Sequence, residues 1–406
     1  MHYNLLYYGL NTGFCNTSNN SLEMKDPNLR LILEQIKPDI FTVNEMAGYE
    51  NIHQHMLDEN LNIGWVNHYK KAAFDPVSSS NIVNMLYYDS RKLRLKNQYV
   101  AQSQVRDIDV YELYYYSNDL EQGDTAFIIC VVAHLKAGSS SSDRETRRVQ
   151  VNSTMQFLEP RYAHENIMFM GDFNFYSGYE PGFQIMINYP NADMRFLDPI
   201  GQVGDWNRNP FYAGIHTQST NTSPTNGCAV GGGMDDRFDF IMISDEIRFG
   251  TRNILYIQDS YKAFGQDGRR FNGSINESPA NTAVSQDVAD ALQQFSDHLP
   301  VVLKLRVDKV LNTNEADSNP FLAEAYPVPA TNKVNLSFYL QRPGTLQFEI
   351  LDIQARVIHV ERQFFNSGKQ VFEPSVAGLK PGFYHIKITD EKGLTSMLKV
   401  IIMSGA

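Results

Sequence analysis

The chain is 406 residues long and carries 35 Lys and Arg against 46 Asp and Glu, a net charge of −11. That balance excludes affinity for polyanions driven by overall charge, although it leaves room for a local basic rim. Three cysteines are too few for a disulfide scaffold, and no apolar run approaches the length of a membrane-spanning helix.

Met1 leads directly into an apolar segment, Tyr3 to Tyr8, with neither the basic region nor the apolar core of an export signal before it. Pro27 to Lys37 reads as an amphipathic helix, with Pro27 near its start and Pro38 ending it. Ile40, Phe41 and Val43 read as a buried strand with Glu45 at its C-terminal end, where open sheets place ligands. Ile128 to Lys136 is a long apolar strand that delivers His134 at its end. Ser142 and Asp143 offer an N-cap to a helix that runs through Leu158.

Ile167 to Met170 has strand character and runs into Gly171-Asp172-Phe173-Asn174-Phe175. Extended backbone there places the carboxylate of Asp172 and the carboxamide of Asn174 on one side. In Arg237 to Ile243 a lone Asp239 interrupts an apolar strand; a salt bridge to Arg237 is its simplest structural use. Phe295 to Val302 presents Asp297-His298 just before another strand. Glu, His, Asp-x-Asn, Asp and Asp-His at strand ends form one inventory. Hard oxygen ligands for Mg²⁺ and imidazoles for proton transfer suit metal-assisted phosphodiester hydrolysis.

These ordered segments resemble the endonuclease/exonuclease/phosphatase superfamily, the group that includes DNase I, exonuclease III and neutral sphingomyelinases. The resemblance covers roughly Met1 to Val307. It implies an α/β (α+β) four-layer sandwich, two mostly antiparallel sheets flanked by helices. It implies metal ligands at Asn4, Glu45 and Asp297, with Mg²⁺ as the ion and Mn²⁺ or Ca²⁺ as alternatives. It implies Asp172 orienting or deprotonating the attacking water, Asn174 donating to a phosphoryl oxygen, His298 fixed by Asp239, and His134 serving the leaving group. A carboxylate partner for His134 is expected from the DNase I branch, but Ser80 to Asn84 supplies no Glu.

Asp308 to Asn319 is polar and reads as a linker. Beyond it, short strands at 334–338, 346–350, 357–360, 383–388 and 397–402 are spaced as in a small all-β sandwich. Ala325 to Ala330, Leu351-Asp352-Ile353, Ala377 to Tyr384 and Lys399 to Ile402 resemble the C-terminal sorting domain of type IX secretion cargo from Bacteroidetes-type bacteria. The expected organisation is a catalytic domain over 1–307, a linker over 308–324 and a sorting domain over 325–406. The resemblance implies a secreted or cell-surface monomer that uses the type IX machinery and has lost its signal from the chain given. Cys130 reads as a buried free thiol, whereas Cys15 and Cys228 lie in loops and are free to pair.

Nucleic acid, DNA or RNA, is the leading substrate. Lys136 and Arg208 are candidate rim cations and Trp206 a candidate stacking platform, since interleaved basic and aromatic residues suit single strands. Phospholipid or inositol phosphate head groups, cleaved in a sphingomyelinase-like way, are the alternative. An inactive binding protein on the same scaffold is the third reading.

Overall fold

In the computed structural model the described residues are 1–403 except 65, 124, 225–226, 312–320, 322, 332, 341, 355, 377 and 392. The chain divides into two compact units, Met1–Leu311 and Asn312–Ala406.

The first unit is built from strands β1 (His2–Tyr8), β2 (Ile40–Ala47), β3 (Tyr69–Lys71), β4 (Ile82–Asp89), β5 (Leu93–Gln102), β6 (Ile108–Tyr115) and β7 (Phe127–His134). They are followed by β8 (Ile167–Asp172), β9 (Phe196–Leu197), β10 (Asp239–Ser244), β11 (Ile254–Tyr256), β12 (Lys262–Ala263) and β13 (Val301–Val302). One sheet has the order β12-β13-β1-β2-β4-β3, and the other β5-β6-β7-β8-β10-β9. Each is antiparallel except for one central parallel pair, β1 with β2 and β7 with β8.

Strand periodicity explains the layering. Cys130, Val132, Met168, Met170, Ile241 and Ile243 join one core with Val43, Met85 and Leu86 of the facing sheet. Their alternate neighbours Ile129, Val131, Ala133, Ile167, Phe169, Phe240 and Met242 join a second core. That core also holds Val151, Met155 and Leu158 of helix α1 (Ser141–Tyr162) and Phe183 of helix α2 (Pro181–Ile187). A strand buried on both faces has no polar side, hence the unbroken apolar runs. On the far side, the helices Leu22–Ile36 and Gln286–Phe295 pack together, and the Phe295 ring lies 5.2 Å from Tyr3 of β1. The result is helix, sheet, sheet, helix.

The helix at 22–36 starts earlier than Pro27, because Ser21 caps it by accepting from the Met24 N–H. It stops where Lys37 turns to φ +49° and donates its N–H to Leu33 O. Helix α1 is capped by Ser140 and Asp143, which bond reciprocally. Residues 308–310 stay with the first unit: Asp308 N donates to Asn253 O, and Asn118 N to Val310 O. Most of the expected linker, 312–320, lies outside the described residues.

In the second unit a three-stranded sheet and a four-stranded sheet share one core. Phe338 and Phe372 from the first meet Phe348 and Phe365 from the second, with Phe348 and Phe372 centroids 4.3 Å apart. The strand Gly368–Phe372 completes the first sheet and was hidden from the sequence pattern by its polar Lys369 and Gln370. Among the described residues, no helix is long and apolar enough to cross a membrane.

A buried ion pair fastens the loop after β7. The fully buried Arg147 makes a forked contact with Glu180 at 2.7–3.0 Å and donates to the carbonyls of Lys136 and Gly138. Arg147→Ala strands the Glu180 carboxylate, so a loss of about 3–5 kcal/mol is expected in urea unfolding. A loss under about 1 kcal/mol would show that water replaces the guanidinium without penalty.

Candidate active site

The site begins with two adjacent bulges. β1 and β2 run in register to Asn4 and Asn44, then slip, so that Tyr8 faces Met46. The slip is absorbed by left-handed backbone at Leu6 (φ +47°), Tyr7 (φ +48°) and Glu45 (φ +57°), none of them glycine. Each costs about 1–2 kcal/mol and needs support. The support is visible. Lys25, buried in the helix behind, donates Nζ to Leu5 O, Leu6 O and Asn20 Oδ1 at 2.6–3.0 Å. The bulge breaks strict alternation, so the neighbours Asn44 and Glu45 both reach the space between the sheets. Asn44 Oδ1 accepts from Asp172 N at 2.8 Å, and Glu45 Oε1 accepts from Asn4 Nδ2 at 3.1 Å.

The facing sheet supplies the rest. β7 and β8 put His134 directly beside Asp172. Gly171 makes this possible: at φ +153° a Cβ there would lie 1.8 Å from Ala133 O. Asp172 Oδ2 accepts from Asn4 Nδ2 at 3.0 Å, and its Oδ1 from the N–H of Asn174. On β10, Asp239 pairs in register with Asp172 and accepts from His298 Nδ1 at 2.7 Å. Ser296 ties the His298 loop to β1 by donating to Asn4 O at 2.7 Å. Asp297 Oδ2 accepts from Val230 N at 2.9 Å.

Arg237 does not pair with Asp239. It makes a buried fork with Asp198 at 2.8 and 2.9 Å, which leaves Asp239 for the imidazole.

Burial and crowding set the charges. Burial raises the Asp172 carboxyl to about 7; the charge of His298 pulls against this, and those of Asp239 and Glu45 add to it. Glu45 is raised too, by burial first and then by Asp297. Burial alone would lower His298, but the carboxylates of Asp239 and Asp172 more than reverse this and hold it well above the usual imidazole range. His134 goes the other way: burial, then the Arg106 charge, press it well below that range. The two imidazoles are thus pushed in opposite directions beside the same oxygen, Asp172 Oδ2. His134 Nε2 lies 3.6 Å from Asp172 Oδ2 and 3.8 Å from Glu45 Oε1. Among the described residues its buried Nδ1 has no hydrogen-bond partner, and none of their carboxylates completes a dyad there.

This donor set fits a hard divalent cation. Glu45, His134 and Asp172 each present an atom, all within 4.8 Å of one another. The two carboxylates are held in repulsion that a dication would relieve. Of the residues expected as ligands, Glu45 is in this cluster; Asn4 faces it with Nδ2, which donates to Glu45 and Asp172, while its Oδ1 accepts from Leu6 N at 3.0 Å. Asp297 acts on Glu45 through its charge while its Oδ2 is engaged by Val230.

The rim residues fare differently. Lys136 is paired with Asp143 at 3.0 Å, and Arg208, its side chain 81% exposed, lies 3.7 Å from Asp235. Trp206 is no stacking platform. Its ring is fully buried against Phe183 and Phe240, and its indole N–H donates to Phe175 O at 2.8 Å. Sequence reasoning missed Asn44, Asn84, Arg106 and Gln218. Asn84 accepts from Asn44 Nδ2 at 2.7 Å and itself donates to Asp109 Oδ2 at 2.8 Å, and so links the sheets beneath Asp172. Gln218 Nε2 lies 2.7 Å from His298 Nε2.

The second unit has a family match. Residues 324–403 match the secretion system C-terminal sorting domain. No curated protein matches the chain in sequence. Among solved structures it is similar to an endonuclease/exonuclease/phosphatase from Beutenbergia cavernae DSM 12333, at 12% identity and a TM-score of 0.43, covering 98% of each chain. It is also similar to an endonuclease/exonuclease/phosphatase from Bacteroides vulgatus (13%, TM-score 0.46, 75% of this chain and 97% of that one). A third is D. rerio TDP2 complexed with single strand DNA product (12%, TM-score 0.45, 75% and 97%).

Cys15 and Cys228 form a disulfide, and Cys130 is buried and free. The bond joins the loop after β1 to the loop that carries Val230, beside Leu6 and Tyr7 of the bulge. Cys228→Ser is expected to cost about 2–5 kcal/mol in unfolding and to open residues 9–21 to limited proteolysis. Unchanged stability and cleavage would mean that the loops hold together without the bond.

Proposed function

We propose that the chain is an exported, metal-dependent phosphodiester hydrolase acting on nucleic acid. The observation that supports this most is the meeting of Asn4, Glu45, His134, Asp172, Asp239 and His298 in one cluster. Asn4 donates to Glu45 and Asp172, and His298 pairs with Asp239. His134 Nε2 lies 3.6 Å from Asp172 and 3.8 Å from Glu45, and His298 Nε2 lies 3.8 Å from Asp172. Residues 1–307 would form the catalytic domain, 308–324 a linker and 325–406 the sorting domain of a type IX secretion substrate, working as a monomer.

Glu45, with Asn4 and Asp297 nearby, would hold Mg²⁺. When bound, the dication supplies Lewis-acid charge against the negative charge that develops on the phosphoryl oxygens. The protein's own groups divide the remaining work. Asp172, with a carboxyl poised near neutrality, takes a proton from the attacking water. Asn4 and the Asn174 N–H hold that carboxylate in place. His298 stays protonated and presents Nε2–H to a non-bridging oxygen, its ring fixed by Asp239. Asn174 adds a neutral donor. His134, kept neutral, serves the leaving oxygen as a hydrogen-bond donor through Nε2 rather than as a strong acid.

A second reading, hydrolysis of phospholipid or inositol phosphate head groups, draws support from the disulfide-linked loops. Residues 9–22 and 215–234 contain no Asp, Glu, Lys or Arg. Phe14 and Val230 stand 79% and 54% exposed there. Such a wall suits an uncharged arm of a substrate better than a polyanion.

Purified protein with Mg²⁺, Mn²⁺ or Ca²⁺ is expected to cleave plasmid DNA or RNA and bis-p-nitrophenyl phosphate. Turnover of sphingomyelin with nucleic acid left intact would select the second reading, and no hydrolysis with any metal would remove both. Glu45→Gln is expected to lower turnover at least about a hundredfold with an unchanged circular dichroism spectrum. A near-normal rate at limiting Mg²⁺ would take Glu45 out of the metal site.

Asp239→Asn and His298→Ala are each expected to be severe and, combined, hardly worse than either alone. Losses that simply multiply would show that the two groups act independently.

A further inference from the structure

Nδ1 of His298 is taken by Asp239, so chemistry at this imidazole has only the Nε2 edge. That edge is already engaged. Gln218 Nε2 lies 2.7 Å from it, while Asn4 Nδ2 is at 3.5 Å and Asp172 Oδ2 at 3.8 Å. Whatever approaches His298 must therefore displace the Gln218 carboxamide or share His298 with it.

The backbone of Gln218 is fixed more firmly than a loop requires. Its N–H donates to Asp236 O at 3.1 Å, and its carbonyl accepts from Asp235 N and Asp236 N at 2.9 and 3.0 Å. It also forms β-bridges to both Asp236 and His298. On one flank, Thr217 N donates to Asp236 O and the Thr217 carbonyl accepts from Leu299 N, both at 2.7 Å. The side chain is half-buried, with its amide at the site. A carboxamide suits this place. With His298 protonated, the carboxamide oxygen, after a half-turn of the amide, accepts from Nε2–H; were Nε2 bare, the N–H₂ would donate instead. It adds no charge to a site that already holds Glu45, Asp172, Asp239 and Asp297.

We propose that Gln218 is a substrate-positioning residue: its carboxamide holds the Nε2 edge of His298 in the resting protein, then yields that edge to a non-bridging phosphoryl oxygen, which its N–H₂ also binds. The proposal rests on the phosphodiester hydrolase reading. It assigns the phosphoryl group two donors apart from the metal ligands on β1 and β2, one from His298 and one from Gln218, brought together by a segment that the sequence does not mark.

The test uses the full chain with Mg²⁺, bis-p-nitrophenyl phosphate as substrate and inorganic phosphate as competing ligand. Gln218→Met keeps the shape and removes the donor. It is expected to raise KM and the phosphate inhibition constant about tenfold or more, with kcat changed less and the melting temperature unchanged. Gln218→Glu keeps the shape and repels phosphoryl oxygens, and is expected to lower kcat/KM about a hundredfold or more. A structural role predicts another pattern: a lower melting temperature, unchanged KM and similar losses in both variants. That pattern, or KM and phosphate inhibition within about twofold of wild type in both, would overturn the proposal. If wild type hydrolyses the diester and the variants match it, only the Gln218 assignment falls. If wild type neither hydrolyses it nor binds phosphate, the hydrolase reading falls and takes this proposal with it.

Discussion

Buried carboxylates that repel one another are the constraint from which the rest of the first unit follows. Burial first, and then neighbouring carboxylate charge, raises Glu45 and Asp172. A protein interior accepts such a cluster only where counter-charge and donors are fixed in advance. His298 supplies one positive charge within the cluster, and Asn4 and backbone N–H groups supply neutral donors. The remaining imbalance is what a divalent ion would neutralise.

Holding the cluster requires both sheets to end their central parallel pairs at one place. The β1–β2 pair does so through left-handed bulges and the β7–β8 pair through a glycine. The sheets are then stitched by carboxamides, Asp172 N to Asn44, Asn44 to Asn84 and Asn84 to Asp109. Neutral amides can bridge the gap without adding to the repulsion, and each satisfies buried polar groups at both ends. Lys25 braces the bulge from behind; burial presses its ammonium down to about 7, so it too stands near the balance between charged and neutral.

The strand-end residues were legible because each polar group borders an apolar run: His134 and Asp172 close β7 and β8, Asp239 opens β10, and Glu45 follows the apolar start of β2. The layers were legible for the same reason, since strands buried on both faces lose their alternation. What could not be read was long-range. Gln218 meets a histidine 80 residues away, and Asp198 meets Arg237 across 39. Nothing local marks either partner. Trp206 misled because it lies between Asp205 and Asn207, a polar setting that reads as surface; the chain folds its ring into the aromatic cluster of Phe183 and Phe240. The bulges were invisible because Leu6, Tyr7 and Glu45 are not residues that favour left-handed backbone.

Gly171 has a consequence in genetic terms. Every missense change reachable by one base from a glycine codon brings in at least a Cβ, and here a Cβ would sit inside the carbonyl of Ala133. The codon therefore has silent neighbours and damaging ones, with nothing between. Its effect would be felt first where β7 and β8 lie closest, so drift at this position is closed off by the spacing of two strands rather than by any reaction the glycine performs.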